Sequence, residues 1–83
     1  MVTTLIREGR HNWNVIRAED LPLTERHIEI LGMFAEGMTQ NDIARRLWLS
    51  LNTVKSHTVN LRAKLRAKNT VEAVAIAIRR CLI

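Results

Sequence analysis

Three observations predict an all-α fold of four short helices for this chain of 83 residues. After residue 22, apolar side chains recur at spacings of three and four in four successive segments. A residue suited to capping a helix start (Thr24, Thr39, Ser50 or Asn69) stands immediately before each of them. No segment shows the alternation of apolar and polar residues that marks a half-buried strand.

The elements follow in order. Pro22, the only proline, and the acidic pair Glu19–Asp20 separate an N-terminal extension, residues 1–21, from a domain at 22–83. In the first helix Ile28, Leu31 and Ala35 repeat at helical spacing, with Ile30, Met33 and Phe34 widening the stripe. Gly37 is placed to end it, because glycine adopts the left-handed backbone of a helix terminus without steric cost. Thr39 starts the second helix, with Asp42 at the capping-box position, and Ile43, Ala44 and Leu47 form its inner face. Ser50 starts a third helix that runs to about Arg66. Asn69, with Glu72 three residues on, starts the fourth. Only Trp48, Leu49 and Ser50 join helices two and three, and two short amphipathic helices so closely linked form a helix-turn-helix.

Charge narrows the function. The formal net charge is +5, and it is unevenly placed. Arg7, Arg10 and Arg17 cancel Glu8, Glu19 and Asp20 in residues 1–21. Between Ile43 and Val71 there is no acidic residue, while Arg45, Arg46, Lys55, Arg62, Lys64, Arg66 and Lys68 add seven cations. Such segregation is the footprint of a polyanion-binding face. The longest fully apolar run is Ala73–Ile78, too short to span a bilayer, and no signal peptide is readable. A single cysteine, Cys81, excludes an internal disulfide framework and a cysteine zinc site, and it fits a reducing cytoplasm. No acid–base pair, nucleophile constellation or phosphate-cradling glycine loop supports an enzyme, and no cofactor or metal site is expected.

Unrolling helix three at 100° per residue places Val54, Thr58, Leu61 and Leu65 on one stripe, toward the core. Opposite lie Asn52, Ser56, Val59, Asn60 and Ala63, edged by Lys55, Arg62 and Arg66. A merely solvated helix face usually carries glutamates, and this one has none. Short side chains let a helix enter the major groove while long cations reach phosphates on either side. Double-stranded DNA is therefore the expected partner.

These residues resemble the LuxR/GerE-type helix-turn-helix domain of bacterial transcription regulators. The resemblance runs from Leu23 to Ile83. It includes Leu23–Thr24, Ile30–Leu31, Ala35–Glu36–Gly37, Ile43–Ala44, Leu47, Ser50, Thr53–Val54–Lys55, His57, Lys64–Leu65, Glu72–Ala73–Val74 and Leu82–Ile83 at unbroken spacing. It implies that helix three reads the major groove, that Lys55, Ser56 and Val59 touch base edges, and that Thr53 and Thr39–Gln40–Asn41 touch phosphates. The unrolled face places Asn52 with the base contacts, and charge and angle add Arg62 and Arg66 as phosphate contacts. The resemblance also implies a homodimer through helix four, with Ala73, Ile76 and Arg80 at the two-fold, bound to two DNA half-sites. Unrolling puts Ala73, Val74, Ala75, Ala77, Ile78, Cys81 and Leu82 on the inner half of that helix and leaves Ile76 among polar residues.

Departures from the family pattern carry further expectations. His27 replaces a common glutamate, which implies loss of the capping box on Thr24. Trp48 replaces a turn glycine and is expected to pack against the N-terminal segment, in preference to lying along the DNA backbone. Arg66 replaces a frequent glycine or asparagine and is expected to lengthen helix three. His57 is expected to be a hydrogen-bonded structural residue and Cys81 an inert core residue. The apolar side chains Leu5, Ile6, Trp13, Val15 and Ile16 suggest that residues 1–21 fold back on the domain or bind a partner protein, ahead of a minor-groove arm through Arg7 and Arg10. Twenty-one residues cannot form a sensor domain, so the chain reads either as a complete regulator, which a start at Met1 favours, or as a piece of a longer one. Two alternatives to a dimeric regulator stand beside it. One is a promoter-recognition fragment resembling sigma-factor region four, which needs no dimer helix. The other is an interaction protein that captures a regulator through residues 1–21 or helix four.

Overall fold

The computed structural model describes residues 23–83. The expectations for residues 1–21 lie outside these. Four helices follow in order: α1 Glu25–Ala35, α2 Gln40–Leu47, α3 Leu51–Leu65 and α4 Thr70–Arg79. Among the described residues there is no strand, so the fold is all-α, as the periodicity predicts. Helix α2 packs on α3, α4 lies across both α1 and α3, and α1 also touches α3. Ile30 and Leu31 from α1, Ile43 and Ala44 from α2, Val54, Leu61 and Leu65 from α3, and Ala73 and Ala77 from α4 form the buried core.

The starts are where the capping residues put them. Thr39 Oγ1 accepts from Asp42 N–H, and Thr39 N–H donates to Asp42 Oδ2 at 3.0 Å. Ser50 Oγ accepts from Thr53 N–H, and Asn69 Oδ1 accepts from Glu72 N–H at 2.7 Å. The buried Thr58 hydroxyl donates to the Val54 carbonyl one turn back, which removes the cost of burying it.

One start differs from expectation. The capping box on Thr24 is present: His27 N–H donates to Thr24 Oγ1, and Thr24 N–H donates to His27 Nδ1 at 3.3 Å. An imidazole nitrogen replaces the glutamate oxygen as acceptor, which requires Nδ1 to be unprotonated. His27 is itself buried, and its ring meets that of His57 edge-on at 5.7 Å. Burial, then the positive charge of Lys64 and the electrostatic influence of the neighbouring His57 ring, hold its pKa below the ordinary 6.5. Acid therefore favours the unfolded chain, where His27 protonates more readily. The contribution of neutral His27 is complete above about 6.5 and is lost as pH falls from there toward the depressed folded value. The melting temperature is expected to drop between pH 7 and pH 5. His27→Gln, whose amide oxygen can close the same box, is expected to flatten that dependence, as thermal denaturation across the range would show.

The helix ends share one geometry. At each, the backbone closes a paired 6→1 and 5→2 turn, as in Met38 N–H to the Met33 carbonyl and Gly37 N–H to the Phe34 carbonyl. Only the first uses glycine at the left-handed position, Gly37 at φ 90°. The others use Trp48 at φ 59°, Arg66 at 56° and Cys81 at 58°. Two expectations are corrected by this. Arg66 ends α3 and does not lengthen it, because a left-handed residue cannot continue a right-handed helix. Cys81 lies beyond α4 and is exposed, so it is not a core residue. Trp48 is 93% exposed, and the N-terminal segment expected to cover it lies outside the described residues.

Helix α4 is also rotated from its expected setting. Ala73 and Ala77 are wholly buried, and Ile76 packs beside them against the core. Val71 and Ile78 point outward, 79% and 54% exposed. Two alanines face inward because their small side chains let α4 approach α1 and α3 closely. A larger residue there would hold the helices apart.

Candidate nucleic-acid interface

The positions of α2 and α3 follow from two buried contacts. Ile43 and Ala44 on α2 and Val54 on α3 are packed into the core, which fixes the angle across the Trp48–Leu49–Ser50 turn. The link has the three residues predicted for it. With Val54, Thr58, Leu61 and Leu65 turned inward, the opposite side of α3 must face solvent. Asn52, Thr53, Lys55, Ser56, Val59 and Asn60 are all exposed there.

Five of these side chains, Asn52, Lys55, Ser56, Val59 and Asn60, line one open depression of about 470 Å³. The structure thus brings together all four residues expected to touch bases and adds Asn60. Angle alone had placed Asn60 on the outer face. Its membership of the depression needs the third dimension, since it depends on how the side chains of successive turns converge.

The expected phosphate contacts divide. Thr39 and Asn41 are exposed at the start of α2, with Gln40 half-buried between them. Thr39 Oγ1 and the Asp42 carboxylate already satisfy two backbone donors at this end. The N–H groups of Gln40 and Asn41 belong to the first turn, which has no intrahelical acceptor for them. The Asp42 carboxyl is held below the usual carboxylate range by its hydrogen bonds from Thr39, and then by Arg45. Arg45 Nη2 lies 2.6 Å from its Oδ1, so this acidic residue presents little negative field to an approaching anion. Thr53 Oγ1 lies 2.8 Å from Ser50 Oγ at the start of α3. Arg66 is exposed at the far end of the same helix.

Arg62 does something else. Its Nη2 donates to the Lys68 carbonyl at 2.6 Å, and its Nε is buried without a partner among the described atoms. The guanidinium is turned toward the α3–α4 connection, which gives Arg62 a structural role beside the phosphate contact expected of it. The periodicity could not show this, because it locates a Cα on a helix face and says nothing of where a long side chain folds. Lys68 N–H in turn donates to Glu72 Oε1 at 2.6 Å, which closes the connection from both sides.

The residues expected at the two-fold contact lie at different depths. Ala73 is fully buried inside one chain and offers no surface to a partner, and Ile76 is half-buried against the core. Arg80 is exposed at the end of α4. The outward apolar residues are Val71 and Ile78, with half-buried Ala75 between them at spacings of four and three, which puts the three on one side of the helix.

Among the described residues no group of His, Cys, Asp or Glu side chains is placed to hold a metal ion. None of the described helices is long and apolar enough to cross a membrane.

Comparison with known proteins accounts for this geometry. The family of bacterial regulatory proteins called the luxR family matches residues 21–77. The CsgBAC operon transcriptional regulatory protein of Escherichia coli is 40% identical over 73 residues, which cover 88% of this chain and 33% of that protein. The transcriptional regulatory protein LiaR of Bacillus subtilis is 38% identical over 61 residues, 74% of this chain and 29% of that one. The crystal structure of the response regulator ChrA from a heme-sensing two-component system superposes with a TM-score of 0.74 at 29% identity, over 99% of this chain and 37% of the other. This chain spans about a third of the length of these relatives. It belongs to the luxR family of bacterial regulatory proteins, a family of DNA-binding helix-turn-helix transcription regulators.

Proposed function

We propose that the chain is a sequence-specific DNA reader for transcription regulation that binds as a dimer, with α3 in the major groove of each of two half-sites. The observation that carries this reading is the exposed side of α3. Asn52, Lys55, Ser56, Val59 and Asn60 converge on one open depression, with no carboxylate in the 29-residue window from Ile43 to Val71. Short polar side chains at the centre admit base edges, and the charge around them favours phosphates. The uncommitted N–H groups of Gln40 and Asn41 at the α2 start suit a phosphate oxygen. Thr39, Thr53 and Arg66 are exposed as well.

The second copy is seated through the outward strip of α4, Val71, Ala75 and Ile78. An isologous contact between two such helices would cover the large exposed apolar side chains of α4 at once. That strip favours the dimeric reader over a promoter-recognition fragment, which needs no such contact.

Salt titration on a duplex selected from a random pool tests the reading. The logarithm of the affinity is expected to fall with the logarithm of salt concentration by about 0.9 per phosphate neutralised, giving a steep slope. Protection is expected in two patches roughly one helical turn apart. Lys55→Ala is expected to relax the base preference at one position of each half-site by about 1–3 kcal/mol while leaving other positions unchanged. Competition binding with single-base variants of the selected duplex measures this. A uniform loss over all sequences would make Lys55 a phosphate contact.

A further inference from the structure

Val59 has no structural reason to be where it is. It is 61% exposed on a helix whose inward positions are already filled by Val54, Thr58, Leu61 and Leu65. A β-branched residue lowers helix propensity slightly and, here, buries nothing in the described chain. It stands near the middle of the exposed side of α3, bordered by Lys55, Ser56 and Asn60 in the same depression. Its neighbours can donate or accept hydrogen bonds. It alone can do neither.

A duplex offers one complementary group in the major groove. Guanine, cytosine and adenine present only donors and acceptors there, whereas thymine presents its C5-methyl group. Resting on the DNA-reading function proposed above, we infer that Val59 reads a thymine methyl and makes this base a fixed letter of each half-site. The register follows from helix geometry. Val59 lies four residues beyond Lys55, about 6 Å along the axis, which is on the order of two base steps of about 3.4 Å. The thymine and the base read by Lys55 therefore lie within a few base pairs of each other in one half-site.

The test begins with duplexes selected from a random pool by the full 83-residue chain. Each thymine of a selected duplex is replaced in turn by deoxyuridine, which removes the methyl and leaves every hydrogen-bonding group in place. One thymine per half-site is expected to lose about fourfold in affinity, from roughly 0.8 kcal/mol per buried carbon group. Val59→Ala should bind the thymine and uracil duplexes equally. The substitution sits at an exposed helical position and raises helix propensity, so the variant folds. A selected duplex indifferent to uracil at every thymine overturns the inference while the DNA-reading function stands. Uracil sensitivity that persists in Val59→Ala assigns the methyl to another side chain and overturns it too. A chain that selects no duplex at all overturns the DNA-reading function, and the thymine contact with it.

Discussion

Ile78→Glu is expected to leave the domain folded and to weaken binding to a duplex with two half-sites by on the order of 10²-fold. Ile78 is 54% exposed in the single chain, so a glutamate there keeps its water and costs the fold little. Across a two-fold contact the same change sets two carboxylates near each other on an apolar strip. Losing the contact converts one linked binding event into two independent ones, and linkage of this kind is worth about 10²–10⁴ in affinity. Sedimentation should show a monomer, and a gel shift on a single half-site should match the parent chain. Unchanged affinity for the two-site duplex would remove α4 from the interface. Ile76→Glu is a poorer probe, because Ile76 packs against the core and its loss confounds folding with association.

Leu61→Ala carries the largest expected effect on stability. Leu61 is wholly buried on the inner side of α3, and truncating a buried leucine costs about 2–5 kcal/mol through lost burial and the cavity left behind. A domain of this size holds roughly 0.05–0.15 kcal/mol per residue in total. The substitution therefore consumes much of the stability, and a chemical denaturation midpoint should fall sharply or vanish. Val59, two residues away on the opposite side, is the internal control: Val59→Ala should leave that midpoint nearly unchanged. A Leu61→Ala chain as stable as the parent would contradict the packing of α3 described above.

The helices themselves were readable from residue type. Thr39, Ser50 and Asn69 each accept the N–H bond that their position predicts, because a cap is a local interaction between a side chain and the backbone three residues on. The exposed side of α3 was readable because its inner and outer residues differ sharply in polarity. Helix α4 was not, and composition explains why. From Val71 to Ile78 only Glu72 is polar, so apolarity does not single out one side. The inner side was decided by size, with Ala73 and Ala77 beneath and Val71 and Ile78 outside; the expected inner half held both alanines but took in Ile78 and left out Ile76. His27 was opaque in another way. Its place in the Thr24 box depends on which imidazole nitrogen carries the proton, and sequence spacing does not express that. The left-handed ends at Trp48, Arg66 and Cys81 carry no signature, since glycine was the residue to look for.

The bond from Arg62 to the Lys68 carbonyl, with Lys68 N–H held by Glu72, joins the helix proposed to read bases to the helix proposed to hold the second copy. It braces the connection between them from both sides. In such a dimer the gap between the two reading helices is set by covalent and hydrogen-bonded geometry, as the gap of a caliper is set once its screw is tightened. An added base pair shifts one half-site by about 3.4 Å along the duplex, and the protein cannot follow. The DNA must twist or bend to make up the difference. The domain would thus discriminate among operators by measuring a length as well as by recognising letters.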